Sequence, residues 1–292
     1  MTTLSSKFII SAISQHLLLK PKISIMPSFL ITGASRGLGY AWVKHLSTDS
    51  NNIVIGLVRN KPATEERLAA DNITNVHLVT ADITDFSALQ EAASLVSGIT
   101  SGRLDVLINN AALVSSPISR FGSVTELSPE VLEKEFLETF KTNVIGVAHT
   151  INAFLPLIRK GDLKKVVTVS SGLADQDIVV RFGLSTSTPY SVAKAGVNML
   201  MAKYHTAVGE AEGITFMAIS PGVVQTRKPE QTPDHIKGRQ IKESKFREYA
   251  PDWKGPVTAE ESVKLQYDVV QKATVDTYGG SFVSQYGNKQ WL

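Results

Sequence analysis

Seven short apolar runs alternate with longer amphipathic stretches along most of the chain. The runs are apolar at nearly every position rather than at every second one, which is typical of strands buried on both faces of a sheet. They cover 29–31, 53–58, 76–79, 104–108, 166–169, 214–219 and 281–283. Helical spacing of apolar residues covers 37–47, 62–70, 85–97, 129–159, 188–210 and 258–272. This alternation predicts an α/β fold in which helices cover both faces of a mostly seven-stranded, doubly wound parallel sheet.

The segment before this pattern differs from the rest of the chain. Residues 1–26 contain three lysines and no acidic residue, and the first acid of the chain is Asp49. We interpret 1–26 as an N-terminal extension, either disordered with Met26 as an alternative start or a mitochondrial-type targeting segment. Its apolar stretch is too short and too polar to span a bilayer. Residues 27–292 contain no linker or repeat and are predicted to form one domain, cytoplasmic unless the extension is a targeting segment.

Composition excludes several classes of function. The 292 residues include no cysteine, which excludes a disulfide scaffold, a cysteine nucleophile and a cysteine-ligated metal. The formal net charge of +3 equals that of residues 1–26 alone, so the predicted domain is formally neutral. A neutral domain argues against nucleic-acid binding. The six histidines lack metal-ligand spacing, so no catalytic metal is expected.

A glycine-rich turn connects the first predicted strand to the first predicted helix. It runs from Thr32 to Gly39 with the pattern Gly-x-x-x-Gly-x-Gly. Such a turn lets backbone N–H groups at a helix N-terminus approach a pyrophosphate, which predicts a dinucleotide site. Gly33 would allow the tight turn, Gly37 the approach of the phosphates, and Gly39 the close packing of helix on strand.

The end of the second predicted strand indicates which dinucleotide is bound. Folds that bind NAD usually carry an acid there to hold the ribose 2′-hydroxyl. Here the strand ends in Arg59-Asn60-Lys61, without an acid. Arg59, joined by Arg36, would bind a 2′-phosphate through its planar guanidinium. The alternative is that Arg59 and Lys61 are solvent-facing charges, but the missing acid favours NADP(H).

Candidate catalytic residues follow the predicted strands or lie on predicted helices. Tyr190 and Lys194 are four residues apart, so they share one helix face. An ammonium beside a phenol lowers its pKa from about 10 and makes the tyrosine a usable acid or base. The strand at 166–169 runs into Ser170 and Ser171 at the carboxyl edge of the sheet, where α/β proteins bind ligands.

Further small and polar residues occur at 109–112 and 221–226, again after predicted strands. Asn143 and Gly146 interrupt a long helical pattern. They are either tolerated poor helix formers or the sign of a local helix distortion that exposes a polar group to the site.

Together these motifs resemble the short-chain dehydrogenase/reductase family over nearly all of residues 27–292, in family order and mostly at family spacing. The resemblance implies a single Rossmann-fold domain that uses NADP(H) to reduce a ketone or aldehyde reversibly to an alcohol. It implies a catalytic set of Asn143, Ser171, Tyr190 and Lys194. It also implies a cofactor site formed by Gly33, Ser35, Arg36, Gly37, Leu38, Gly39, Arg59, Asp82, Ile83, Asn109, Ala111, Tyr190, Lys194, Val224 and Thr226.

The resemblance also implies the role of each group. Ser171 would stabilise the carbonyl oxygen, and Tyr190 would donate the proton. Lys194 would lower the pKa of Tyr190 and hold the nicotinamide ribose, while Asn143 would position a water that relays protons. The adenine would contact Asp82 and Ile83, the ribose Asn109 and Ala111, and the carboxamide Val224 and Thr226.

One spacing departs from the family pattern. Ser171 and Tyr190 are 19 positions apart, several more than is usual. We interpret the extra length, within 172–189, as an inserted loop over the active site. The departure leaves Ser170, Ser185 or Ser187 open as the catalytic hydroxyl, although Ser171 is preferred because it is the second serine of the pair that ends the strand.

The resemblance assigns residues 227–255 to a lid that sets substrate choice. This segment has eight basic and five acidic residues, which fits either an anionic or phenolic substrate or a solvated amphipathic helix. The family's usual dimer face predicts a homodimer or homotetramer through helices 129–159 and 188–210. The competing hypothesis for the whole chain is an NADP(H)-binding sensor or interaction protein with little turnover.

Overall fold

The computed structural model describes residues 26–114, 116–226 and 232–292. The interpretation of the N-terminal extension therefore lies outside the described residues, apart from Met26. So does the start of the predicted lid, at 227–231.

Seven strands form one parallel sheet in the order β3-β2-β1-β4-β5-β6-β7. Every residue of β1, β4, β5 and β6 is buried, as their continuous apolar sequences predict. The strands are β1 (Ser28–Thr32), β2 (Ile53–Val58), β3 (Val76–Thr80), β4 (Val106–Asn109), β5 (Lys165–Val169), β6 (Thr215–Ser220) and β7 (Phe282–Ser284). The seven-stranded doubly wound fold is confirmed.

The helices connect the strands and cover the sheet. They are α1 (Gly37–Ser47), α2 (Lys61–Ala70), α3 (Phe86–Ile99), α4 (Pro117–Phe121), α5 (Pro129–Phe140), α6 (Gly146–Ile158), α7 (Gln176–Arg181), α8 (Thr188–Tyr204), α9 (Glu210–Glu212), α10 (Pro233–Tyr249), α11 (Ala259–Lys272) and α12 (Val275–Tyr278). Several begin where a polar side chain caps the first turn. Asn60 accepts a hydrogen bond from the Ala63 amide, and Asp85 accepts one from the Ala88 amide.

Two apolar clusters lie on opposite faces of the sheet because successive strand residues point to opposite sides. Phe29 and Ile31 of β1 face α1 and α11, whereas Leu30 faces the side covered by α3, α6 and α8. Helices on both faces leave the carboxyl edge as the open end of the domain. The strand order reverses between β1 and β4, which is where doubly wound sheets form a ligand crevice.

The long helical pattern at 129–159 is not one regular helix. A π-turn at Lys141–Ile145 separates α5 from α6, and it contains Asn143. Of the two interpretations of Asn143 and Gly146, the local distortion is the one observed. Single π-turns inside helices occur frequently at functional sites because they redirect one polar residue. A second π-turn, His205–Gly209, ends the predicted helix at 188–210.

None of the described helices combines the length and apolarity needed to cross a membrane.

Candidate active site

The glycine turn packs directly against the end of β4. A Cβ added at Gly33 would lie 2.9 Å from the Cα of Ala111, and one at Gly39 would lie 2.3 Å from the Gly33 carbonyl oxygen. Gly33 and Gly37 also have positive φ angles of +67° and +55°. The first N–H groups of α1 have no hydrogen-bond partner within the helix. They lie at a turn that has no room for side chains. Thr226 closes the other side, 3.4 Å from the position that a Gly37 Cβ would take.

Thr32 and Asn110 tie the glycine turn to the end of β4. The Thr32 hydroxyl accepts hydrogen bonds of 3.0 Å from the amides of Asn110 and Ala111. The Asn110 side chain donates to the carbonyl oxygens of Thr32 (2.9 Å) and Gly33 (3.3 Å). Asn110 is absent from the predicted site residues although it lies within the 109–112 motif. Its role depends on a partner 77 residues away, which spacing along the chain does not reveal.

Asn109 has a buried polar atom that lacks a partner. Its Nδ2 donates to the Thr168 hydroxyl at 3.2 Å, but its Oδ1 forms no hydrogen bond within the described part of the chain. A buried acceptor without a partner costs about 1–3 kcal/mol. Such an atom at the β1/β4 crevice fits an acceptor for a ligand hydroxyl.

The remaining residues of the glycine turn occupy three different environments. The Ser35 carbonyl oxygen accepts a hydrogen bond of 3.2 Å from Arg67 of α2. Arg36 is exposed and immediately precedes α1. The Leu38 side chain is buried in the core, so only its backbone is available to a ligand.

Arg59 and Asp82 meet where β2 and β3 end. The Arg59 guanidinium lies 3.6 Å from the Asp82 carboxylate, and 77% of the arginine side chain is exposed. Burial opposes the charged form of Asp82, but hydrogen bonds from Thr84 and the charge of Arg59 outweigh it and hold its pKa below the usual range. Ile83 is buried, and its side chain would contact a Cβ placed at Gly146 at 3.0 Å. Arg59 thus lies beside an acid that follows the neighbouring strand β3. The residues at the end of β2 do not indicate this contact.

Ser171, Tyr190 and Lys194 come together at the ends of β5 and α8. The Ser171 side chain is close enough to the Tyr190 hydroxyl to act on its pKa. The Lys194 ammonium lies 5.7 Å from the centre of the Tyr190 ring and donates a hydrogen bond of 2.6 Å to the Val169 carbonyl oxygen. The structure therefore places a phenol, an aliphatic hydroxyl and an ammonium close together at the carboxyl edge.

The pKa values of this group differ from the sequence-based expectation. Burial raises the pKa of Tyr190 to about 12, while the Ser171 hydrogen bond and the positive charge of Arg120 act to lower it. Lys194 is not among the groups that lower it. Burial lowers the pKa of Lys194 itself to about 8. Arg120, in α4, is thus an electrostatic partner of Tyr190 that no motif indicated, because it is 70 residues away in sequence.

The alternative serines have other partners. Ser170 donates to Asn198 at 2.6 Å, and Ser187 donates to the Arg120 carbonyl oxygen at 3.2 Å. Ser185 is exposed. Of the four candidates, Ser171 is the one that acts on the pKa of Tyr190.

Asn143 is fully buried in the π-turn. Its side chain accepts a hydrogen bond from the Leu113 amide at 2.7 Å and donates to the Leu113 carbonyl oxygen at 2.8 Å. Both ends of the amide are therefore used to hold the segment that follows β4 against the π-turn.

The residues after β6 lie beside the glycine turn. Val224 forms an isolated parallel bridge with Val257, and the Gln225 amide donates to the Val257 carbonyl oxygen at 2.9 Å. These contacts precede Thr226, which borders Gly37, so the segment after β6 flanks the glycine turn.

The inserted segment is not an open loop, contrary to the sequence-based expectation. It folds into a 3₁₀ turn (Gly172–Ala174) and α7, and Asp175 caps α7 through the Asp177 and Ile178 amides. Its apolar residues join the lid helix α10 and the C-terminus in a third apolar cluster outside the two sheet cores. The buried members of this cluster are Ile178, Phe182, Leu184, Phe246 and Trp291. A helix as short as α7 is not stable alone, and burial of its apolar residues in this cluster stabilises it.

Trp291 links this cluster to the catalytic edge. It is 3% exposed, stacks on Phe282 with ring centres 4.4 Å apart, and would touch a Cβ at Gly172 at 2.9 Å. Its amide also donates to the Tyr249 hydroxyl of α10 at 3.2 Å. The C-terminus thus packs next to the residue that follows Ser171. The sequence offered only a lone tryptophan near the chain end as a signal for this contact.

The chain is similar to known proteins in both sequence and fold. Residues 28–236 match the family described as short chain dehydrogenase. The chain is 57% identical to the short-chain dehydrogenase/reductase AacuF of Aspergillus aculeatus, over 91% of this chain and 100% of that protein. It is also similar to the NADPH-bound carbonyl reductase from chicken fatty liver, with a TM-score of 0.70, 25% identity, and coverage of 89% of this chain and 97% of that one. The carbonyl reductase Sniffer of D. melanogaster has the same fold, with a TM-score of 0.71, 23% identity, and coverage of 90% and 98%.

The substitution Trp291→Ala is expected to increase local opening of the helix α10. Loss of a buried tryptophan removes most of the contact between the C-terminus, α7 and α10, so local opening of α10 becomes easier. Limited trypsin digestion should cleave at Lys245 or Arg247 about tenfold faster than in the wild type. Tyr286→Ala, which alters a side chain that is 46% exposed near the same chain end, serves as the control. Equal cleavage rates in all three proteins would show that Trp291 does not hold the lid.

Proposed function

The chain belongs to the short-chain dehydrogenase family, and from this premise we propose that it is an NADPH-dependent oxidoreductase that reversibly reduces a ketone or aldehyde to an alcohol. The observation that carries the proposal is the meeting of Ser171, Tyr190 and Lys194 at the carboxyl edge of the sheet. The NADPH-bound carbonyl reductase with the same fold supports the choice of cofactor and reaction.

The residues at the β1/β4 crevice fit a dinucleotide. The turn from Gly33 to Gly39 is a cradle that a Cβ would fill, and it lies at a helix N-terminus, where a pyrophosphate is stabilised. The unpartnered Oδ1 of Asn109 fits a ribose hydroxyl. Asp82 and Ile83 would border the adenine, Ala111 the ribose, and Val224 and Thr226 the carboxamide. When bound, the reduced nicotinamide supplies a hydride to the substrate carbonyl carbon.

The chain's own residues handle the carbonyl oxygen and the proton. Ser171 donates a hydrogen bond to that oxygen and stabilises the negative charge that develops on it. Because its pKa is about 12, Tyr190 is protonated at neutral pH and can donate its proton to the oxygen. The phenolate that remains is stabilised by Ser171 and by the positive charge of Arg120.

Lys194 and Asn143 support this proton transfer. With a pKa of about 8, Lys194 is mostly protonated at pH 7 and can return a proton to Tyr190. We also propose that Lys194 holds the nicotinamide ribose. Asn143 acts as a positioning residue, because its side chain is fully engaged by Leu113 and holds the segment after β4 in place.

Replacing Tyr190→Phe is expected to lower kcat by about 10²- to 10⁴-fold, since it removes only the proton donor. The assay follows NADPH absorbance with a panel of aldehydes and ketones. Tyr204→Phe is the matched control in the same helix, because that hydroxyl donates to Asn152 at 2.8 Å, away from Ser171. An unchanged rate in Tyr190→Phe would refute the mechanism. A wild type that binds NADPH but reduces no carbonyl compound would favour the NADP(H)-binding sensor instead.

Replacing Arg59→Asp is expected to weaken NADPH binding by about 10- to 100-fold, since a charge-assisted contact to the 2′-phosphate is replaced by repulsion. NADH lacks that phosphate, so its affinity should change little. Titrations of both reduced cofactors, followed by fluorescence, measure the ratio. Lys61→Gln is the control, because Lys61 is a neighbouring cation that pairs with Glu65 at 3.8 Å. A preserved preference for NADPH in Arg59→Asp would contradict a 2′-phosphate site at Arg59.

We further propose that α5, the π-turn and α8 form a homodimer or homotetramer interface, as the family resemblance implies. Large apolar side chains are exposed along this surface, which is typical of an interface. They are Leu137, Phe140, Ile145, Val192 and Met199. On α8, Val192 and Met199 are seven residues apart and therefore share one face.

Replacing Met199→Glu is expected to dissociate the assembly, because a carboxylate would be buried in an apolar interface. Size-exclusion chromatography with light scattering measures the mass of the particle. Leu95→Glu is the control, since Leu95 is a similarly exposed apolar residue (60% against 61%) on α3. A monomeric wild type would rule out this interface.

A further inference from the structure

An arginine of α2 contacts the backbone of the glycine turn. Arg67 donates a hydrogen bond of 3.2 Å from its Nη1 to the Ser35 carbonyl oxygen. Its guanidinium carbon also lies 4.1 Å from the centre of the Tyr40 ring, in the first turn of α1, which is a favourable cation–π distance. The Tyr40 amide in turn donates to the Arg36 carbonyl oxygen at 3.3 Å. Arg67 therefore contacts both the residue before Arg36 and the residue whose amide bonds to Arg36.

Tyr40 is a fixed support for this arginine. The tyrosine is 3% exposed, and its hydroxyl donates to the Asp71 carboxylate at 2.8 Å and lies 3.2 Å from the Arg67 carbonyl oxygen. Burial and the Asp71 carboxylate raise the pKa of Tyr40 to about 12, so the hydroxyl remains a donor at neutral pH. Lys44 of α1 pairs with the same carboxylate at 3.5 Å. The end of α2 is thus fastened to α1 where Arg67 reaches the turn.

The two arginines proposed for the 2′-phosphate follow adjacent strands. The Gly33 amide donates to the Leu57 carbonyl oxygen at 3.0 Å, which joins the ends of β1 and β2. Arg36 and Arg59 come three and two residues after this bonded pair. The Ser35 carbonyl belongs to the planar peptide group that leads into Arg36. A hydrogen bond to that carbonyl oxygen therefore fixes the direction in which the chain enters Arg36.

Resting on the NADPH site proposed above, we propose that Arg67 is a positioning residue that sets the preference for NADPH over NADH. By holding the Ser35 carbonyl oxygen, Arg67 keeps Arg36 in the orientation in which it binds the 2′-phosphate together with Arg59. NADH has a hydroxyl in place of that phosphate, so its binding does not need this arrangement. No motif at the turn indicates Arg67, because it lies on the next helix along the chain.

Two other roles for Arg67 make different predictions. A purely structural contact between α1 and α2 would affect the binding of NADPH and NADH alike. A direct contact between Arg67 and the 2′-phosphate would change the preference, but independently of Arg36. The informative quantity is therefore the ratio of the dissociation constant of NADH to that of NADPH, measured in proteins with and without the Arg36 guanidinium.

The first test compares this ratio in the wild type, Arg67→Met, Arg67→Lys and Lys44→Met by fluorescence titration. Arg67→Met keeps an aliphatic stem but removes the donors, so the ratio should fall about fivefold, mainly through weaker NADPH binding. Arg67→Lys keeps a charged donor without the planar face and should recover part of the ratio. Lys44→Met is the matched control, because it removes a cation of the same group that pairs with Asp71. An unchanged ratio in Arg67→Met, or an equal fall in Lys44→Met, overturns the proposal.

A double-mutant cycle tests whether Arg67 acts through Arg36. In the Arg36→Met background the guanidinium that Arg67 positions is absent, so adding Arg67→Met should leave the ratio where Arg36→Met alone puts it. Two effects that multiply as independent contributions would show that Arg67 contacts the phosphate itself, and the positioning role would be wrong.

These titrations separate failure of this inference from failure of the proposed reaction, because they use the full-length protein and require no turnover. If the protein reduces no carbonyl compound but the pattern above is found, the reaction is wrong and the role of Arg67 stands. If the wild type reduces carbonyl compounds but binds NADPH and NADH equally well, the role of Arg67 is wrong and the reaction stands.

Discussion

The close contact between the glycine turn and the end of β4 is the constraint on which the rest of the site depends. Gly33 and Gly39 have no room for a Cβ, and Thr32 and Asn110 hydrogen-bond across the gap. This contact brings the start of α1 next to the end of β4, the strand that carries Asn109. A larger residue at either glycine would push α1 away from the crevice, and the dinucleotide cradle would be lost.

Desolvation shapes the chemistry that occurs at this edge. Burial raises the pKa of Tyr190 and lowers that of Lys194, so it favours the neutral form of both groups. Ser171 and Arg120 act in the opposite direction on Tyr190. A neutral phenol that can donate a proton, in surroundings that tolerate the resulting phenolate, is what carbonyl reduction requires.

A third apolar cluster gives the substrate side of the site its form. The insertion supplies Ile178 and Phe182, the lid supplies Phe246, and the C-terminus supplies Trp291. The helix α7 is too short to be stable alone, and α10 has few buried residues of its own. Each segment is therefore stabilised by its contacts with the others. The helix α10, the insertion and the chain end therefore pack together next to Gly172, the residue that follows Ser171.

The local sequence determined the fold class, the order of the strands and helices along the chain, the glycine turn, and the residue types at the strand ends. These follow from short-range patterns, namely continuous apolar runs, helical spacing and glycines at one turn. Predicted strand bounds differ from the observed ones by at most two residues, because hydrogen bonding rather than hydrophobicity sets where a strand ends. Only the tertiary structure decided that the insertion is helical, that Arg120 acts on Tyr190, that Asn110 holds the turn, and that Trp291 packs against Gly172. Each of these depends on a contact between residues far apart in sequence, and such contacts form only when burial against the sheet brings the segments together.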